Sequence, residues 1–484
     1  MLEGLEISEI SLSSINRKKT RLDSDFYKKE NLEKNNLLLS KPHKRFGNLI
    51  NILTDYHSNG SYKKLNEHVQ LLNVPDYAHM VRTTDFLRDD FEKDIISIDE
   101  NAYNYLTKTK LFGGEILINK IGSYTGQSFL MPEIKKPSSL GMNIFMLSLK
   151  DGFSSKVYQT YLTTNIGRTL IEQQINGSSP KSIDKESVRD ILVPLFSDFF
   201  QKSIDNLIEE VQELKIQSKK TYSQAENILL EEVGLQNFAL SKEPVNVKSF
   251  KNSFATTGRL DAEYYQLKYE QVVNKIKTKS FDTLSNLVKI KKSIEPGSKN
   301  YVEDGLPFMR VADLSKNGLS EPQKFISEYF VKENQDKIKK LKPKKGTILF
   351  SKDGSVGIAY HLRQNYNGIT SGAILHLNVK NEKRILPEYL TLALNSKVVQ
   401  MQAERDAGGS IILHWRVGEI ENVIVPVIDF DKQIQIADLI EQSFSLKKQS
   451  EHLLEVAKTA VEIAIEENED VAIKYINHQS KKNG

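Results

Sequence analysis

From residue 204 onward, apolar and small side chains recur at alternating intervals of three and four: Ile204, Leu207, Val211, Leu214, Ser218, Thr221, Ala225 and Ile228. The rhythm returns as Ile436, Leu439, Ser443, Leu446, Ser450, Leu453, Ala457, Ala460 and Ala464. A sustained period of 3.5 residues is the seam of a coiled coil. No proline or glycine falls between 201 and 233 or between 431 and 466. Each stretch therefore predicts one long helix, about 50 Å long at 1.5 Å per residue. Ser218 and Ser450 sit mid-seam and are small enough for two helices to approach closely. The natural partner of each helix is the other, antiparallel; packing on its own globular part or on another chain is the alternative. Elsewhere the pattern changes. Gly114-Glu115-Ile116-Leu117-Ile118 and Gly346-Thr347-Ile348-Leu349-Phe350 read as short buried strands entered at a glycine turn. The segment Leu386-Pro387-Glu388-Tyr389-Leu390 opens a helix with proline in its first turn.

The two long helices belong to a duplication. Gly177-Ser178 recurs as Gly409-Ser410 and Val193-Pro194 as Val425-Pro426, and both 409 − 177 and 425 − 193 give 232. In that register Gln201, Ile204 and Leu207-Ile208-Glu209 meet Gln433, Ile436 and Leu439-Ile440-Glu441. The 49 gapless positions from Gly177 to Ala225 hold 14 identities, where chance at ordinary composition gives roughly three. Earlier islands also match. Arg21-Leu22-Asp23-Ser24-Asp25-Phe26-Tyr27 resembles Arg259-Leu260-Asp261-Ala262-Glu263-Tyr264-Tyr265, and Arg82 with Asp85 resembles Arg310 with Asp313. Gly114, Lys120, Gly122 and Ser123 return as Gly346, Lys352, Gly354 and Ser355. Residues 28–76 and 266–305 share little, so the frame repeats while the segments it carries differ.

Composition narrows the class. With 484 residues, more than one core is expected. No apolar run approaches the roughly 18 to 20 residues of a membrane helix, and Met1 to Ile10 lacks the layout of a signal peptide. The absence of cysteine rules out disulfides and thiolate zinc sites, and it fits a cytoplasmic address. The net charge of +4, from 67 basic and 63 acidic residues, says little by itself. The densest basic run is Lys337, Lys339, Lys340, Lys342, Lys344 and Lys345, which fits a solvated face as well as a nucleic-acid contact.

Catalytic signatures are missing. The 13 prolines are never adjacent, so the Asn/Asp-Pro-Pro-aromatic loop of amino-methyltransferases is absent. There is no Gly-x4-Gly-Lys-Ser/Thr loop, no His-Glu-x-x-His, no Gly-x-Ser-x-Gly elbow and no histidine cluster with metal-ligand spacing. Glu133-Ile134-Lys135 is too common a tripeptide to indicate a nuclease. What remains points to binding. Lys120-Ile121-Gly122-Ser123 and Lys352-Asp353-Gly354-Ser355 each set lysine, glycine and serine in one turn. Glycine would admit backbone N–H groups to a phosphate, serine would donate, and lysine would neutralise. A plain strand-ending turn with a solvated lysine explains the same residues. Arg82 and Arg310 are candidates for base reading, against structural ion pairs with Asp85 and Asp313. His414-Trp415-Arg416 holds the single tryptophan; either Trp415 plugs the core, or the loop presents His414 and Arg416 to a duplex. Lys181, after Gly177-Ser178-Ser179-Pro180, occupies the comparable place in the first unit.

These features together resemble the specificity subunit of type I restriction–modification systems. The resemblance covers nearly the whole chain. It rests on the two Arg-Leu-Asp openings, the Gly-Ser then hydrophobic-Pro segments ending at Pro194 and Pro426, the Gln-x-x-Ile helix starts, and the tail segments Ala457 to Glu467 and Ala472 to Ile476. It implies an α+β fold: two similar mixed α/β target-recognition domains in a pseudo-two-fold arrangement, joined by two long antiparallel coiled-coil helices. The expected segments are 1–197 and 240–430 for the domains, 198–239 for the central helix and linker, and 431–484 for the C-terminal helix and tail. It further implies a non-catalytic subunit that reads a bipartite double-stranded DNA target. Two methyltransferase subunits using S-adenosylmethionine would join it, and restriction subunits using ATP and Mg2+ in the full complex. No cofactor is expected on this chain. One departure is that Ser178-Ser179-Pro180 stands where the second unit has Ser410-Ile411-Ile412. A type II recognition subunit and a coiled-coil adaptor binding only proteins are the rival readings.

Overall fold

The structure is a computed structural model that describes residues 6–480 apart from 12–14, 16–20, 22, 93, 178, 242, 244 and 410. Leu22, Ser178, Ser410 and the residues before Glu6, all used in the sequence reading, lie outside the described residues. The chain divides into two compact units, Met1–Glu213 with Gln449–Gly484, and Leu214–Lys448. The long helices are α1 (Asp198–Val233) and α2 (Phe430–Glu466), followed by α3 (Glu469–Ser480). Each long helix gives its first part to one unit and its second part to the other, where the sequence reading had kept each as a separate segment.

The seam positions are mostly buried, Ile204, Ala225, Ile436, Ser450, Ala457 and Ala460 completely. In the second unit the two helices run antiparallel, since Ser218 pairs with Ser443 while Glu232 lies 3.7 Å from Lys432. The Ser218 and Ser443 hydroxyls each donate to the other's carbonyl at 2.8 Å. Only side chains this small let two backbones come so close. At the end of α1 the period departs from expectation: Leu229 and Val233 are buried and Ile228 only half-buried. There α1 packs into the globular core of the second unit, with Tyr269, Val272 and Ile276, and a helix facing a core follows its own 3.6 period.

Each unit is built on a four-stranded antiparallel sheet. The strands are β1 (Ile50–Asp55), β2 (Ile116–Asn119), β3 (Ser128–Leu130) and β4 (Ile144–Leu149) in the first unit, in spatial order β1-β4-β2-β3. In the second they are β5 (Val288–Lys292), β6 (Ile348–Ser351), β7 (Ala359–His361) and β8 (Ile374–Val379), in the matching order β5-β8-β6-β7. Strands β2 and β6 are wholly buried, as their apolar runs predict. A smaller sheet with one parallel pairing accompanies each, Ala78–Val81 beside Ser138–Leu140 and Leu306–Met309 beside Ile369–Thr370. Three-residue registers tie Pro194 to His43 and Pro426 to Phe281 at the ends of short ribbons, where a missing N–H is tolerated.

The repeated motifs turn out to be fasteners. Gln201 accepts from the Ser154 N–H at 2.9 Å and donates to the Gly152 and Phe196 carbonyls; Gln433 does the same with Leu386, Arg384 and Ile428. In the second opening, Arg259 grips Asp261 through two bonds of 2.9 and 2.7 Å, lies over the Tyr264 ring and reaches the Asp406 carbonyl. Arg21 holds Asp23 and covers Phe26 in the same way.

Candidate nucleic-acid interface

The turn after β2 and the loop before Val193-Pro194, 56 residues apart, are zipped together in the first unit. Gly122 N–H donates to the Lys181 carbonyl at 3.0 Å, Ile183 N–H to the Lys120 carbonyl at 3.0 Å, and Ser182 bridges both Ile121 and Asn176. The second unit repeats every link. Gly354 N–H donates to Leu413, Trp415 N–H to Lys352, both at 2.8 Å, and His414 bridges Asp353 and Gly408. Gly122 and Gly354 have φ of +97° and +72°, a backbone that L side chains rarely adopt. Their amides, which the sequence offered to a phosphate, are thus spent on the partner loop.

Side chains on the two zips differ. In the first unit Lys120 donates to Asp55 Oδ2 at 2.7 Å, and Lys185 donates to Asp55 Oδ1 at 2.8 Å. Asp55 ends β1. Burial alone would raise its pKa; hydrogen bonds from Lys120, Lys185 and Ser58 outweigh burial and hold the carboxyl well below the usual carboxylate range. Lys120 is therefore an ion-pair partner with its ammonium turned inward. Ser123 and Lys181 are exposed. In the second unit Lys352 pairs with Asp353, its neighbour in the turn, and Asp353 also meets His414 Nδ1 at 2.9 Å. Ser355, His414 and Arg416 are exposed, whereas Trp415 is a core residue packed 5.7 Å from Phe350. Of the two readings of His414-Trp415-Arg416, both hold in part: the tryptophan anchors and its neighbours face solvent.

Arg82 and Arg310 each donate a backbone N–H to the aspartate three residues on, at 2.8 Å. The Arg82 guanidinium also contacts Asp85 at 3.0 Å and the Asp94 carbonyl at 2.7 Å. Asp85 is fully buried. Burial opposes its charge, and hydrogen bonds from His79 and Arg82 overcome that and lower its pKa. Thr83 bonds Asn119 at 2.6 Å and so sets this corner beside the Lys120 turn.

Two clusters went unnoticed in the sequence. Strand β5 exposes Lys289, Lys291 and Lys292, and the Lys291 ammonium donates to the Lys340 carbonyl, joining the strand to the lysine-rich helix Gln335–Leu341. The Val288-Lys289-Ile290-Lys291 alternation was the available signal. His361, Glu388 and Glu441 bring ligand-capable atoms within 4.8 Å of one another. They come from β7, one helix and α2, so no linear spacing announces them. Arg363 holds Glu441 at 2.7 and 3.2 Å, which leaves that carboxylate already neutralised.

The family described as the type I restriction modification DNA specificity domain matches residues 272–456. The match falls in the second unit apart from its last eight residues. Over that stretch the chain is similar to the family that the repeat resembles. No curated protein matches the chain. Among solved structures, the S subunit of a type I restriction–modification system from M. genitalium is similar at 15% identity, over 88% of this chain and 94% of that one, with a TM-score of 0.38. The HsdS subunit from Thermoanaerobacter tengcongensis is similar at 13% identity, over 88% and 96%, with a TM-score of 0.27. Among the described residues no helix is long and apolar enough to cross a membrane.

Proposed function

We propose that this specificity chain reads a bipartite double-stranded DNA target, one half with each unit, and directs partner methyltransferase and restriction subunits to it. The observation that supports this is the duplicated zip: two loops fastened by the same backbone bonds carry different exposed side chains. A frame built twice with different tips suits two different half-sites. Exposed Ser123 and Lys181 in one unit, and Ser355, His414 and Arg416 in the other, are the side chains assigned to the duplex. S-adenosylmethionine, ATP and Mg2+ belong to the partner subunits, and the isolated chain methylates, cleaves and hydrolyses nothing. The cytoplasm, where the DNA is, is its place. Segments 1–197 and 240–430 act as the reading domains and the long helices as the connection between them.

The test is a map of methylated adenines in cells with and without this chain. A two-part motif that disappears without the chain supports the proposal. A motif that persists without it, or a single contiguous motif, overturns it.

A further inference from the structure

The loop from Gly408 to His414 presents three apolar side chains to solvent. Ile411 is 95% exposed, Ile412 55% and Leu413 41%. Slack does not explain this. Gly408 and His414 exchange backbone hydrogen bonds of 3.1 and 2.7 Å, Leu413 accepts from Gly354, and Trp415 is buried immediately after. At Gly409, φ is +130°, and an added Cβ would lie 2.1 Å from the Ile412 carbonyl oxygen. The described residues Gly408, Leu413 and His414 are therefore fastened, and Ile411, Ile412 and Leu413 stand outside the core.

We propose that Ile411, Ile412 and Leu413 make the sequence-discriminating apolar contact of the second unit with duplex DNA. This rests on the reading that the second unit binds DNA. Charge selects the occupant: exposed Arg416 flanks the tip, Lys352 and His414 beside it share the single carboxylate of Asp353, and β5 adds Lys289, Lys291 and Lys292 to the same unit. A polyanion suits that surround. Apolar side chains gain nothing from phosphates. On a duplex they find two apolar features, the thymine methyl at the base edge and the face of a base exposed by an opened step. Both are read as sequence, because G·C pairs lack the methyl and steps differ in how easily they open. At the matching place the first unit carries Ser179, Pro180 and Lys181, so this mode of contact belongs to the second half-site alone.

The experiment uses the full chain with its methyltransferase partner. The methylation motif is mapped for the wild type, for I411S/I412S/L413S and for I411S alone, whose side chain is almost wholly exposed and so leaves folding intact. Duplexes carrying the mapped site are then prepared with uracil replacing thymine, or with 2-aminopurine at successive steps. The expected result is relaxed preference at one or two positions of the second half-site, with the first half-site unchanged. Uracil should then weaken wild-type methylation roughly fourfold at that position, about the value of one buried methyl group, and leave the triple variant unaffected. If the contact is to an opened step, wild type instead raises 2-aminopurine fluorescence there and the variant does not. Unchanged preference in both variants overturns the inference, as does loss of methyltransferase binding with DNA preference intact. A wild-type chain that directs no two-part motif overturns the proposed function itself, a result distinct from either.

Discussion

Lys120 and Lys352 stand at matching turns, yet their charges are answered from different places. In the first unit the counter-charge is Asp55, at the end of β1 with β4 between it and the strand before Lys120, and it is shared with Lys185. In the second it is Asp353, the adjacent residue, shared with His414. The backbone bonds around both lysines are the same. Duplication has kept the hydrogen-bonded frame, which any side chain can occupy, while the side chains on it have diverged. The first unit locks its lysine between elements, and the second keeps its ion pair within one turn and exposes an apolar tip.

That contrast can be broken first through the aspartates. Asp55→Ala strands two half-buried ammonium groups, and it should destabilise the first unit by about 3 kcal/mol. Asp353→Ala loosens a local pair and should cost the second unit about 1 kcal/mol. Hydrogen exchange resolved by segment measures both. Equal losses would show that the two lysines are held alike.

Acid sharpens the comparison next. His376 in β8 is pushed down to about 4 by burial and by the Lys291 charge, and it meets Thr370 Oγ1 at 2.9 Å. At the matching strand position the first unit has Met146. Between pH 6.5 and 4 the unfolded chain binds a proton that folded His376 refuses. The second unit's stability is thus fully present above pH 6.5 and falls by up to about 3 kcal/mol toward pH 4. The lowered pKa of Asp55 acts in a different window: its contribution is present above the ordinary carboxylate range and lost only as pH falls below it. Denaturation from pH 7 to 4 should therefore weaken the second unit first, and His376→Met should remove part of the slope. A slope that survives intact in the variant would assign it elsewhere.

Where the frame is shared, the effects should match. Gln201→Ala and Gln433→Ala each leave one N–H and two carbonyls without their partner, so each should cost about 2 kcal/mol in its own unit. A large inequality between them would mean that the fasteners are not equivalent. The smallest effect concerns Lys181, which is exposed. Lys181→Gln should lower the slope of log affinity against log salt by about one, whatever the sequence of the probe. Lys120→Gln should leave that slope unchanged and lower stability instead.

The seam, the repeat, strands β2 and β6 and the Pro387 helix were legible because period and glycine placement are local signals. The fate of each lysine was not. Asp55 and Lys120 are far apart in sequence, and nothing in the tetrapeptide Lys120-Ile121-Gly122-Ser123 tells whether its ammonium points in or out. The zip was half legible: both of its strands recur at 232, but that they touch depends on sheet topology. Ile228 falls off the seam because the last part of α1 packs into a globular core as well as against α2, and the 3.5 period does not continue there.

The central claim is that the two units read separate halves of one target. Its most direct test replaces residues 28–180 with the same region of a homologue of different specificity and maps the methylated adenines. One half of the motif should change to the homologue's, while the other half stays as it was. A motif in which both halves change, or neither does, would contradict the account.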